Sequence, residues 1–383
     1  MNISILGTGM TNFGELWKTS PRELAREAMS EALGDAKMDS KRIDALFVGN
    51  MLSGILGNQA NVGSLFAEEL GAFVPAFRIE AACASGGLAL HNAILSIKAG
   101  QYKTVMVLGV EKMTDHTNEE VTNALMAAGS DEERTAGITF PGLYALIARA
   151  YMEKYKIDEE TLAWVSVKNH YHGSFNPKAQ FKNVLSVDQV MKSPKVADPL
   201  KLLDCSPITD GAAAIIITSD ENLIKSHKKP IKILASEVAS DTLSLADRDN
   251  FTTLNAVTRA AKQAYEKSGL KPEDIDLAEV HDCFSIAEVI AVEDLGFSKR
   301  GQGAVDIKKG KMTLGKGRII TNSSGGLKAC GHPVGATGVK QIVEIVKQLR
   351  HEASGRQVEN AKIGLAHNVG GTGTIAAIHI LSI

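Results

Sequence analysis

Ile79-Glu80-Ala81-Ala82-Cys83-Ala84-Ser85-Gly86-Gly87 is the stretch on which the fold turns. A cysteine follows an extended apolar segment. Two glycines come next, then an apolar run at helical spacing over 88–97. This order predicts a strand, a tight turn and a helix, with Cys83 at the helix tip. Unpaired N–H groups and the helix dipole at such a tip favour a thiolate. A lone cysteine at a strand–helix turn is more often a small packing residue. A second stretch reverses that preference. Gly331-His332-Pro333-Val334-Gly335-Ala336-Thr337-Gly338 also leads into a helical run, 339–349. A histidine between glycine and proline is poor helix filler, and the glycines let a substrate approach the backbone. A thiol on one helix tip and an imidazole on another point to covalent acyl chemistry.

Working outward, the chain contains a diverged internal repeat. Residues 38–50 (MDSKRIDALFVGN) align with 270–282 (LKPEDIDLAEVHD). The preceding segments 22–33 and 254–265 are both alanine-rich and amphipathic. In this register Cys83 and His332 occupy matching places, each with a glycine three residues on (Gly86, Gly335). Halves packed about a pseudo-twofold axis would bring the two tips together. Strands alternating with helices predict an α/β architecture with mixed sheets. The expected division is 1–222 and 223–383, with 220–230 as linker. Residues 114–198 have no counterpart in the second half and read as an inserted excursion, a common location for substrate contacts.

Bulk properties exclude several classes. The chain has 383 residues, 44% hydrophobic and 22% charged, with a net charge of −2. That is ordinary for a globular protein with a large core, and it argues against nucleic acid or an anionic membrane surface as main partner. No signal peptide is visible, and no run approaches the ~18 apolar residues of a membrane span. Four cysteines in so long a chain make no disulfide framework. Free thiols in a reducing cytoplasm are expected.

A third candidate site follows the apolar strand expected at 275–280: His281-Asp282-Cys283-Phe284. Residues 281 and 283 of an extended chain project to one side, so imidazole and thiol would face one space. α/β proteins tend to bind ligands at such strand ends. A zinc site needs about four ligands at spacings such as C-x2-C. No such pair occurs, so no metal is expected. Two glycine loops, 322–326 and 367–373, can offer N–H groups to an oxyanion. Gly7-Thr8-Gly9 does not complete a nucleotide-binding pattern.

As an ordered set, these motifs resemble the thiolase superfamily over nearly the whole chain. The carriers are Cys83 to Gly86, Asp210-Gly211-Ala212-Ala213 before a buried strand, His281 to Phe284, Gly331 to Gly335 and the closing glycine loop. The resemblance implies two duplicated α/β halves forming a five-layered αβαβα core with an inserted loop domain. Two departures stand out. The commonest thiolases carry Asn-Glu-Ala-Phe where this chain has His281-Asp282-Cys283-Phe284. They also carry a second catalytic cysteine in the closing loop, which here reads His367-Asn368-Val369-Gly370-Gly371. The His-Asp-Cys-Phe form looks like the sterol-carrier-protein type and the archaeal acetoacetyl-CoA thiolases, where the motif's cysteine is thought to replace the missing one.

The resemblance implies an acetyl-CoA C-acetyltransferase. His332 would deprotonate Cys83, which takes the acetyl group. The N–H of Cys83 and one from the Gly370-Gly371 loop would hold the oxyanion. Cys283 would deprotonate a second acetyl-CoA, with His367 a minor claimant. His281 and His332 would hold the enolate oxygen. Coenzyme A, substrate and product rather than resident cofactor, would lie along 204–208 (Cys205, Ser206, Ile208), with Lys328 a candidate cation near it. A homodimer or tetramer is implied, as is a complex with 3-hydroxy-3-methylglutaryl-CoA synthase and a small OB-fold, zinc-ribbon protein feeding isoprenoid synthesis. Competing readings are a ketoacyl synthase, a 3-ketoacyl-CoA thiolase of lipid breakdown, and a silent lipid-binding or scaffold protein on the same fold.

Overall fold

The computed structural model describes residues 2–383. The first half runs β1 (Ser4–Met10), α1 (Pro21–Ala36), β2 (Ala45–Gly49), α2 (Val62–Leu70), β3 (Ala76–Ile79), α3 (Ser85–Lys98) and β4 (Thr104–Glu111). An excursion follows: α4 (Asn118–Leu125), α5 (Asp131–Thr135), α6 (Phe140–Tyr155), α7 (Glu159–Gly173), α8 (Val187–Lys192) and a hairpin of β5 (Lys195–Ala197) and β6 (Leu200–Lys201). β7 (Gly211–Thr218) closes the half. The segment expected as linker holds a short helix, α9 (Glu221–Ser226). The second half comprises β8 (Ile231–Ser240), α10 (Asn255–Ser268), β9 (Leu277–Glu279), α11 (Ser285–Asp294), α12 (Gly303–Lys308), β10 (Ile320–Thr321), α13 (Gly326–Cys330), α14 (Thr337–Leu349), β11 (Ile363–Gly370) and β12 (Ile375–Ser382).

Strand order repeats between the halves. It runs β3-β2-β4-β7-β1 in the first and β10-β9-β11-β12-β8 in the second, the two joined antiparallel through β1 and β8. Period-two burial explains the layers. On β7, Ala212, Ala214 and Ile216 face one apolar core with α1 and α2. Ala213, Ile215 and Ile217 face another, shared with α3 and α14. β12 sends Ala376, Ile378 and Ile380 into the core beneath α10 and α11. The helices α3 and α14 touch strands of both halves and form the middle layer of five. This is the α/β thiolase-type architecture expected from the motifs.

Only glycine permits the approach of those two middle helices. A Cβ on Gly86 would stand 2.8 Å from the Gly335 carbonyl oxygen, and one on Gly338 would stand 2.3 Å from the Gly87 nitrogen. The tips bearing Cys83 and His332 therefore meet. Gly86→Ala is expected to destabilise by about 1–3 kcal/mol through overpacking, read as a lower urea midpoint. An unchanged midpoint would contradict this packing.

The excursion leaves the first half but covers the second. α6 and α7 pack on α11, and α7 also on α12 and α13. Its return segment pairs with the third motif: the Ser206 N–H donates to the Cys283 carbonyl (2.9 Å).

Candidate active site

Each functional side chain hangs from a turn that leads into a helix. Cys83 lies between β3 and α3, His281 and Cys283 between β9 and α11, and His332 between α13 and α14. The strand before His281 is shorter than expected, Leu277–Glu279. Donor atoms of Cys83, His281 and His332 lie within 4.8 Å of one another. The two imidazoles stand edge to face with ring centres 5.0 Å apart. This trio offers three of the about four donors a structural zinc takes; no larger group of such ligands forms among the described residues.

These residues open onto a cavity of about 160 Å³, also lined by Cys283, Cys205, Ser206, Pro207, Ile208, Tyr144, Phe140, Leu125 and Gly371. Three expectations are corrected. Burial pushes the Cys83 thiol up to about 12, against the Gly371 N–H that faces its sulfur, and nearby Glu111 adds to the rise. The helix-tip argument for a resting thiolate fails, because α3 starts two residues later and desolvation outweighs it. The donor from the closing loop is Gly371, not Gly370. The Gly370 carbonyl instead closes the β11–β12 turn, accepting from Gly373 and Thr374. Lys328 is neither exposed nor in the cavity; it is 1% exposed and its ammonium donates to the Asp204 carbonyl.

His332 is held by its backbone N–H on Thr209 Oγ1 (3.0 Å) and by Nδ1 against Thr337 Oγ1 (2.7 Å). Burial pushes it down to about 3, and the Lys340 ammonium adds to this. His281 is likewise pushed far down by burial, then by His332. Thiol and imidazoles thus rest neutral. Cys283 is pushed up by burial, with Cys83 adding; the Tyr144 hydroxyl bonds its sulfur and opposes the rise. His367 lies wholly buried off the cavity, its Nδ1 accepting the His281 backbone N–H (3.2 Å).

Several supports escaped sequence reading. The buried Glu111 carboxyl accepts N–H groups from Met51 (2.9 Å), Leu52 (3.0 Å) and Gly335 (3.1 Å), tying the two halves' loops together. Burial raises it to about 7. Asp282 accepts the N–H of Leu327 (2.6 Å) and the Asn169 amide (2.6 Å), anchoring the His281–Phe284 turn. Tyr144 donates to the Gly371 carbonyl (3.0 Å) and stacks on Phe284 with ring centres 4.6 Å apart. It sits in the excursion, where no motif marks it.

Acid should unfold the protein early. Burial holds His172, His332, His367 and His379 at about 3. Unfolded imidazoles titrate near ~6.5. Between those values the unfolded chain binds more protons, so stability falls as pH drops below ~6.5. A loss on the order of a few kcal/mol between pH ~7 and ~5 is expected, measured by urea midpoints. A flat profile would contradict the buried neutral rings.

Among the described residues, no helix is long and apolar enough to cross a membrane. Residues 3–221 match the family model of the thiolase N-terminal domain, and 237–383 match one described as thiolase C-terminal domain-like. The chain is 48% identical over 383 residues to an acetyl-CoA acetyltransferase of Methanothermobacter thermautotrophicus, covering 100% of this chain and 99% of that one. It is 44% identical over 389 residues to another acetyl-CoA acetyltransferase, from Methanocaldococcus jannaschii, covering 100% and 99%. Among solved structures, it is similar to the Ltp2–ChsH2(DUF35) aldolase with a TM-score of 0.86 at 24% identity, covering 99% of this chain and 97% of that chain. Two family models spanning both halves, relatives matched over the full length and the repeated strand order agree: the chain belongs to the thiolase family.

Proposed function

We propose that this chain is an acetyl-CoA C-acetyltransferase that condenses two acetyl-CoA into acetoacetyl-CoA and CoA, reversibly. The observation that carries this reading is the convergence of Cys83, His281 and His332 donor atoms within 4.8 Å in a cavity that also takes in Cys283. Both archaeal relatives bear that activity's name.

In the first half-reaction His332 accepts the Cys83 proton as the sulfur attacks the thioester. With Thr337 Oγ1 taking up Nδ1–H, Nε2 is the free base. The Cys83 and Gly371 N–H groups hold the oxyanion. CoA leaves as a thiol, taking the proton from His332. In the second, His332 takes the Cys283 proton, and the resulting thiolate removes a methyl proton from a new acetyl-CoA. The enolate oxygen is held by His281 and by the Nε2–H that His332 then carries, and the carbanion attacks the acetyl group on Cys83, which departs as thiolate and recovers its proton from His332. The CoA tail runs along Cys205, Ser206 and Ile208, which line the cavity mouth in this reading. A cavity of ~150 Å³ accepts a benzene-sized guest, so about 160 Å³ suits a C2–C4 acyl group better than a fatty chain. No resident cofactor or metal enters the cycle.

In the same reading the chain divides at 222/223, between β7 and β8, with 114–198 as the inserted domain. Its free thiols suit a cytoplasmic enzyme of isoprenoid synthesis through mevalonate. β3 forms one outer edge of the sheet, with Phe73 and Phe77 exposed beside it, and this edge suits a homodimer or tetramer. Light scattering should exceed the 40.8 kDa of one chain; a monomer would contradict that state. Partners would be a 3-hydroxy-3-methylglutaryl-CoA synthase and a small OB-fold, zinc-ribbon protein. A solved structure of similar fold is the Ltp2–ChsH2(DUF35) aldolase. Separate elution of the co-expressed proteins would remove the complex.

The test of the activity is incubation of purified protein with acetoacetyl-CoA and CoA. Two acetyl-CoA should form per acetoacetyl-CoA consumed. A protein that binds but never cleaves it would be the silent lipid-binding form.

A further inference from the structure

Asn368 sits on β11 where three parts of the site meet. Its side-chain amide has one acceptor oxygen and two N–H donors. The Gly87 backbone N–H, a donor without alternative, points at Oδ1 (3.0 Å). The amide orientation follows from that contact. Nδ2 must then face the other way, where it donates to the Cys83 carbonyl (2.9 Å) and lies 3.3 Å from His281 Nδ1. A donor facing Nδ1 requires a bare nitrogen there. The neutral ring therefore carries its proton on Nε2, the nitrogen turned away from Asn368. His281 lines the cavity, and its backbone is pinned by His367 Nδ1 (3.2 Å).

We propose that Asn368 is a positioning residue that holds His281 in the Nε2–H tautomer, so that His281 donates a hydrogen bond to the thioester and enolate oxygen while remaining unable to act as a base. This rests on the thiolase reading above and deepens it. The same amide grips the Cys83 carbonyl and the first turn of α3, so nucleophile and oxyanion donor share one register. Asn368 makes no contact with the reacting atoms; it acts through His281.

The experiment has two readouts. In the first, the intact protein labelled with ¹⁵N-histidine is studied by NMR at alkaline pH, the His281 ring being assigned by its loss in His281→Phe. The Nε2–H coupling pattern is expected, and an Nδ1–H pattern would overturn the proposal. In the second, Asn368→Asp sets an acceptor against Nδ1 and draws the proton there. Condensation and thiolysis should then fall ~10²–10³-fold, as for loss of one oxyanion donor. Cys83 acetylation from acetyl-CoA, followed by mass spectrometry, should fall far less. Equal losses in both steps would make Asn368 a mere brace for the nucleophile turn and overturn the proposal. If that variant fails to fold, the wild-type tautomer decides alone. A wild type that never acetylates Cys83 would sink the thiolase reading instead, while the tautomer measurement still judges Asn368.

Discussion

Cys83→Ala is expected to abolish thiolysis and condensation, a fall on the order of 10⁵–10⁶-fold, because a covalent cycle without its nucleophile keeps only binding and oxyanion stabilisation. The site offers no substitute. Cys283 and Cys205 line the same cavity, but Cys83 alone has both a histidine donor pair within 4.8 Å and the Gly371 N–H on its sulfur. The loss should be chemical rather than structural. Cys83 is only half-buried, and its turn is held by other bonds: Ser85 Oγ to the Ala82 carbonyl (2.6 Å) and Asn368 to the Cys83 carbonyl. Matching urea midpoints with activity within about 100-fold of wild type would remove Cys83 from the nucleophile's role. So would mapping the acetyl group to Cys205 or Cys330.

Cys283→Ala should separate the half-reactions. Acetylation of Cys83 should persist, while condensation and thiolysis fall by ~10²–10⁴-fold, the usual worth of a positioned acid–base group. Burial holds the Cys283 thiol protonated. Near-normal thiolysis in Cys283→Ala would pass the role to His367. That outcome would be hard to reconcile with a ring whose Nδ1 is occupied by the His281 backbone and which lies off the cavity.

Much of the site is local, and the local part was legible. Cys83, His281, Cys283 and His332 each stand in a turn whose glycines, proline or preceding apolar strand mark it within about ten residues. The repeat of 38–50 in 270–282 carried the matching of halves, because each half folds by the same strand and helix periods. The misjudged elements were those whose state depends on surroundings. Cys83 read as a thiolate because a helix tip is visible in sequence and desolvation is not. Lys328 read as a loop cation, yet α13 turns it inward to the Asp204 carbonyl. Gly370 and Gly371 are neighbours, and only the hairpin's curl decides that the second faces the sulfur.

The amino-acid order by itself determined the α/β class, the duplication, the Cys83 turn and the two histidine turns, since these rest on periodicity and on turn chemistry a few residues long. Tertiary structure alone decided the protonation and the supports. Glu111 reaches Gly335 across 224 residues, Asn368 reaches Cys83 across 285, and Tyr144 reaches Gly371 across 227. Burial depth and partner identity at such separations arise from how layers stack, and no local pattern encodes them.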